Sequence, residues 1–316
     1  MTPTRSRRRW IVAQLALIVL VAVAATFFTF VAPSGVSLVQ RFTPATLGDQ
    51  PAGAVVLAGE DRKLAVGLAV APRTHGLLVV ATVFAGSGRG ATGLRPKLTI
   101  TGRDGSHSSA TATACSAGCY EAVFPTREIP AHATISFDDG SHLSFTLPAH
   151  GPTSQALAVV RDAAAEYKQI RSMVTHERLA ANPTEVVYTT YYAVAPNRLR
   201  FQVRGEGETI IIGKRRWDRS QGGNWKESAQ SPIDPITPYW TPLVQDATIL
   251  GSATVQGRAV WVVSFADPQT PGFFTIWVDK TTHRTLELEM TATAHFMHHT
   301  YDQFDAPISV QPPKTH

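Results

Sequence analysis

The chain has 316 residues, a formal net charge of +5 and a 44% hydrophobic composition. That length exceeds one ordinary core and suits two modules of roughly 100–150 residues plus a short extension. Four of the positive charges, Arg5, Arg7, Arg8 and Arg9, stand together near the start, which leaves +1 for the rest and no basic tract able to track nucleic-acid phosphates.

The first predicted element is the uncharged run at residues 10–32, WIVAQLALIVLVAVAATFFTFVA. About 20 such residues suffice for a helix to cross the apolar core of a bilayer. With the arginines before it held inside, residues 1–10 read as a cytoplasmic tail, 11–32 as a single transmembrane helix, and all that follows as extracytoplasmic. The rival reading is a cleaved signal peptide, for which Ala22 and Ala24 supply a small-x-small site. No second long apolar run follows, which excludes a multi-pass channel or carrier within this chain. Residues 33–54, rich in Pro, Gly, Ser and Thr, read as a linker.

Residues 55–149 carry short strand candidates at 64–71, 77–85, 97–101, 120–124, 134–137 and 142–147. Turn signals at Pro72, Gly86, Asp104-Gly105 and Asp139-Gly140 divide them, a spacing that predicts an all-β sandwich. Cys115-Ser-Ala-Gly-Cys119 lies between two of these strands. Gly118 and its small neighbours permit a tight turn, and the two sulfurs are expected to pair in an oxidising compartment. A redox pair would instead show Cys-x-x-Cys at a helix start.

This segment resembles the small immunoglobulin-like domains of copper-resistance proteins. The likeness rests on Leu68-Ala-Val-Ala-Pro72, Gly76-Leu-Leu-Val-Val, Cys119-Tyr-Glu-Ala and Leu143-Ser-Phe-Thr-Leu-Pro148. Secreted copper-binding relatives use a mature amino-terminal His. This chain has none there, so the resemblance implies the fold without the ligand set.

Residues 150–313 form the second expected module. Thr153 or Ser154 can cap a helix whose apolar stripe runs Leu157, Val160, Ala164, Tyr167, Ile170 and Val174. The period then changes to two, with strands predicted at 185–194, 198–204, 208–213, 216–218, 225–228, 248–255, 258–265, 272–279 and one long strand from 284 to about 301. One helix and about ten antiparallel strands predict a strongly curved sheet, a half-barrel partly covered by the helix. The order is similar to that of the lipoprotein-carrier superfamily. Its better marks are Tyr167-Lys-Gln-Ile-Arg-Ser172, Ala195-Pro-Asn-Arg-Leu-Arg-Phe201, Gly213-Lys-Arg-Arg-Trp217, Gly257-Arg-Ala-Val-Trp261 and Phe274-Thr-Ile-Trp-Val-Asp279. That resemblance implies an apolar cup. Together the two modules look like the exported tail of bacterial copper-resistance membrane proteins, with one helix replacing their transport part.

The cup candidates are Phe201, Trp261 and Phe274 on strands, with Tyr239 and Trp240 on a segment carrying Pro232, Pro235, Pro238 and Pro242. That segment is either a lid or a permanent plug. Near the end, His295, Met297, His298 and His299 with Met290 have copper-suited chemistry. On one straight strand, however, His295 and His299 would stand about 13 Å apart. No nucleophile elbow, zinc-protease, phosphate-loop or dinucleotide motif is present, so neither an enzyme nor a bound cofactor is expected. The sequence reads foremost as a non-enzymatic extracytoplasmic binding or sensing protein for a hydrophobic ligand or envelope partner. A copper-homeostasis accessory and a ligand-free structural protein are the alternatives.

Overall fold

The computed structural model describes residues 51–60, 64–85, 90–182, 185–269, 272–292 and 295–314. The expected membrane helix at 11–32 lies outside them. Among the described residues no helix is long and apolar enough to cross a membrane.

The first unit consists of β1 (Val55–Glu60), β2 (Leu64–Arg73), β3 (Gly76–Ala85), β4 (Lys97–Thr101), β5 (His107–Thr111), β6 (Thr113–Ser116), β7 (Cys119–Phe124), β8 (His132–Ser136) and β9 (His142–Thr146). They pair as a five-stranded sheet, β1-β2-β3-β7-β6, and a four-stranded sheet, β5-β4-β8-β9. Leu68, Val70, Val79 and Val83 from the first sheet share a core with Leu98, Ile135 and Phe145 from the second, which makes a two-sheet sandwich. The Cys115–Cys119 disulfide closes the β6–β7 turn.

The second unit begins with α1 (Ser154–Glu166). Thr153 is its N-cap, and its hydroxyl accepts the Ala156 N–H at 3.1 Å. Ala156, Val159, Val160 and Ala163 are the buried stripe, while Leu157 and Ala164 pack at its rim. A single 3₁₀ turn, Tyr167–Gln169, ends the helix. The stripe does not continue to Val174, because Ser172 already starts the eleven-residue strand β10 (Ser172–Asn182).

After β10 come β11 (Glu185–Val194), β12 (Arg198–Val203), β13 (Gly207–Ile212), β14 (Arg215–Ser220), β15 (Lys226–Ala229), β16 (Ala247–Val255), β17 (Arg258–Asp267), β18 (Gly272–Asp279), β19 (Thr285–Ala292) and β20 (His295–Asp302). The long final strand expected from the sequence is therefore a hairpin of two, with Met290 opposite Met297.

The expected half-barrel is not formed. The sheet is an open one of eleven strands in the order β15-β14-β13-β12-β11-β10-β20-β19-β18-β17-β16. Two meanders meet at the central β10–β20 pair, and β15 and β16, consecutive in sequence, stand at opposite edges. No hairpin can join those edges. The connection is the 17-residue segment between Ala229 and Ala247. Ten strand steps span about 48 Å if laid flat, and 17 extended residues reach roughly 56–61 Å. The segment bends at residues 235–236 and 239–240 and turns at 242–243, so the twisted sheet holds its edges closer than the flat span, and the prolines at 232, 235, 238 and 242 keep the segment off the ladders.

The two units are packed together. The outer face of the large sheet, opposite α1, meets the free face of the five-stranded sheet. There Phe273 of β18 lies among Val56, Ala69, Ala71, Val80 and Cys119. Its ring occupies the place where a side chain on Gly67 would be, with Cε2 only 2.0 Å from an ideal Cβ. Phe84 and Phe296 extend the contact, and Glu60 pairs with Arg178 at its rim. Double-sided burial explains why β2 reads LAVGLAVA without alternation.

A polar chain beneath a proline-rich strap

The inner face of the large sheet is covered by α1 and by residues 230–246, hereafter the strap. Ile236, Trp240 and Val244 of the strap are buried in the same core as Val159, Tyr167, Phe265, Phe274, Ile276 and Leu288. Trp240 is 4% exposed, edge-on to Tyr167 at 5.9 Å and to Phe265 at 5.6 Å between ring centroids. Phe265 stacks on Phe274 at 5.2 Å, so Trp240 rests on an aromatic floor.

Among the described residues, no backbone–backbone hydrogen bond ties residues 231–246 to the rest of the protein. Side chains hold them instead. Asp267, buried at the end of β17, accepts the Thr241 N–H at 2.6 Å and the Thr241 hydroxyl at 2.9 Å. At the far end Asp246 accepts the Gly53 N–H at 2.8 Å.

Under the strap a hydrogen-bonded chain crosses from β11 to β20. The Tyr191 hydroxyl donates to Glu177 Oε2 at 2.8 Å. Glu177 Oε1 lies 2.9 Å from His299 Nε2, and His299 Nδ1 lies 3.1 Å from the Tyr301 hydroxyl. A carboxylate only accepts, so Nε2 carries a proton, and a neutral ring then accepts from Tyr301 at Nδ1. His299 is fully buried and Glu177 is 7% exposed. Tyr239 of the strap, 40% exposed, sets its ring edge against His299 at 4.9 Å.

Desolvation raises all four phenols of this cluster and keeps them protonated. It pushes Tyr167 up to about 12. Tyr191 and Tyr239 are raised further by the charge of Glu177, and Tyr301 by desolvation and then by the neighbouring phenols. The Trp240 indole N–H, also buried, has no hydrogen-bond partner. The chain can hold and share protons internally, but its members are turned to one another and present no nucleophile to a substrate.

The sequence candidates separate into distinct places. Trp240 and Phe274 come together in the core, Tyr239 meets His299, and Phe201 on β12 packs beside Tyr191 at 5.5 Å. Trp261, partly buried, packs against that same core near the β16 edge, beneath Lys280 and beside His283. Met297, His299 and Tyr301 point inward with Leu288 and Met290, while Phe296 packs against the sandwich. His298 is on that outer face, 3.7 Å from Glu287, so it and His299 lie on opposite sides of the sheet and cannot share one ion. His295 opens β20 opposite Ala292. No group of three or more His, Cys, Asp or Glu side chains suited to a metal occurs among the described residues.

Sequence reasoning missed Glu177, Tyr191 and Tyr301. The available signal was the alternation Met173, Thr175, Glu177, Leu179, which places a carboxylate on an otherwise apolar strand face.

No family model matches the sequence, and no curated protein matches it significantly. Solved structures similar to it include LprF from Mycobacterium bovis, 16% identical over 52% of this chain and 99% of that one, with a TM-score of 0.40. The lipoprotein LppX from Mycobacterium tuberculosis is 13% identical over 50% and 98%, with a TM-score of 0.42. A LolA superfamily protein from Nitrosomonas europaea is 10% identical over 47% and 92%, with a TM-score of 0.25. Each of these likenesses is distant and covers about half of this chain.

Proposed function

We propose that this protein is a non-enzymatic, extracytoplasmic binding protein. Its inner sheet face beneath the strap receives a hydrophobic ligand or an apolar segment of an envelope partner. One observation carries the reading: the strap joins opposite edges of the sheet across its inner face, yet among the described residues every hydrogen bond that fastens residues 231–246 involves a side chain. A ladder-paired segment would leave at the cost of many backbone bonds, whereas this one leaves by withdrawing Ile236, Trp240 and Val244 and breaking the Thr241–Asp267 contacts. The ground it uncovers is an aromatic floor beside a polar chain. An amphiphile would place its tail on Phe265 and Phe274, and a polar group near the unpaired Trp240 N–H. The disulfide supports an oxidising compartment.

The test is binding of a fluorescent long-chain fatty acid to the delipidated protein, with Thr241→Ala as the loosened strap. Saturable uptake that quickens several-fold in the variant supports the reading. No uptake by either protein, under conditions where both are folded, rejects it.

A further inference from the structure

Beyond the footprint of the sandwich, the outer face of β11 to β15 carries a row of arginines seated on aromatic rings. Arg204 lies over Tyr188 at 4.6 Å, Arg200 over Tyr192 at 5.6 Å, Arg215 over Trp217 at 4.7 Å and Arg219 over Trp225 at 4.6 Å. The arginines stand on β12 or just past its end (Arg200, Arg204) and on β14 (Arg215, Arg219), two strand steps or roughly 10 Å apart across the sheet. Arg198 joins the row and donates to the Val310 carbonyl of the C-terminal segment that crosses the face.

The centre of the row is built rather than incidental. Glu208, whose side chain is 6% exposed, accepts from both Arg200 and Arg219 and holds the two guanidiniums on either side of it. Arg200 spends only its Nε donor there, and Arg219 spends Nε and one Nη2 donor. By the five donors of a guanidinium, four N–H groups remain on Arg200 and three on Arg219. Their side chains are 37% and 43% exposed, so these donors are reachable. On this face five guanidiniums oppose the carboxylates of Glu208 and Glu227, an excess of three, or two when Glu206 of the adjoining turn is counted.

We infer that this face binds a linear polyanion lying along β12 and β14. Its phosphate or carboxylate oxygens would be taken by the N–H groups left over on Arg200, Arg204, Arg215 and Arg219, since Glu227 already accepts from Nε and Nη2 of Arg215 and Glu208 from Nε and Nη2 of Arg219. Guanidinium matches both oxyanions through paired N–H bonds, and the aromatic seats restrict the side chains before binding. A membrane surface fits less well. Of the large apolar side chains that are exposed, only Tyr188 belongs to this face, which leaves no apolar wedge for insertion.

The experiment measures binding of the full chain, in a neutral detergent, to inorganic polyphosphate, to poly-L-glutamate and to phosphatidylglycerol vesicles across a salt series. Arg204→Gln with Arg215→Gln is the test variant, because neither arginine contacts the buried Glu208. Lys97→Gln with Lys168→Gln is the charge-matched control elsewhere. Expected is binding to one or both polymers that weakens at least tenfold in the test variant and not in the control, with a shallower salt dependence and an unchanged melting temperature. The polymer preferred tells phosphate from carboxylate. Absence of polymer binding at low salt, equal loss in the control, or binding to vesicles alone overturns the inference.

Discussion

Replacing Trp240 with Ala asks whether the strap is part of the core or a loose cover. The ring is 4% exposed and wedged between Tyr167 on the helix side and Phe265 on the sheet. Truncating a buried Trp to Ala costs about 3–5 kcal/mol in the lost transfer energy and the cavity left behind. For a domain of this size each kcal/mol lowers the melting temperature by about 2–4 °C, so the expected drop is roughly 6–20 °C. Trp240→Phe is the companion variant. It keeps most of the ring contact and removes an indole N–H that has no partner, so the two terms oppose and the net change should stay within about 1 kcal/mol. Thermal unfolding followed by far-ultraviolet circular dichroism reads both, and urea titration confirms that the slope is unchanged. A loss below about 1 kcal/mol for Trp240→Ala would refute the reasoning. It would mean that the strap is already open in solution, so that its side chains add nothing to the folded core.

Gly67→Ala should destabilise by about 1–3 kcal/mol, because its Cβ would fall 2.0 Å from the Phe273 ring; Phe273→Ala, itself destabilising, should absorb most of that penalty in a double-mutant cycle. Asp305 accepts the Arg171 N–H at 2.8 Å and an Arg284 N–H at 2.6 Å, and the first of these, ahead of the Arg284 charge, holds its pKa below the ordinary 3.8. Its contribution is therefore complete above about pH 3.8 and is lost as pH falls through the lowered folded value, so Asp305→Asn should lower stability at pH 7 and flatten the acid limb of a stability–pH curve. Changing Cys115 and Cys119 together to Ser should cost about 2 kcal/mol without loss of the fold, since the loop that the bond closes is short; failure to fold would show the turn to be essential.

Much of the local structure was legible because it is set by local chemistry. Thr153 caps α1 through its own hydroxyl, the Pro-Asn and Gly turns separate β11 to β14, and Cys115 and Cys119 are close enough in sequence to find each other. Strand β10 was hidden because Ile170 and Val174 fit a helical spacing as well as the start of a strand, so the apolar stripe of α1 seemed to run on. Period alone cannot settle a short apolar run. The final hairpin was read as one strand for a similar reason: apolar alternation continued through Ala292 and Phe296 although the chain reverses between them, which turned His299 inward and His298 outward.

The remaining features were decided by pairings between distant residues. That β10 would pair with β20, leaving β15 and β16 at opposite edges, follows from long-range register that no local pattern encodes, and it is this that makes the proline segment a strap across the sheet. Glu177 and His299 are 122 positions apart and meet only because their strands are neighbours. Gly67 in β2 finds its reason only in Phe273, whose ring comes from the other unit to fill the place of a side chain there. Composition and periodicity determine which faces are apolar. Which apolar face covers which is a choice among many nearly equal pairings, and only the packed chain makes it.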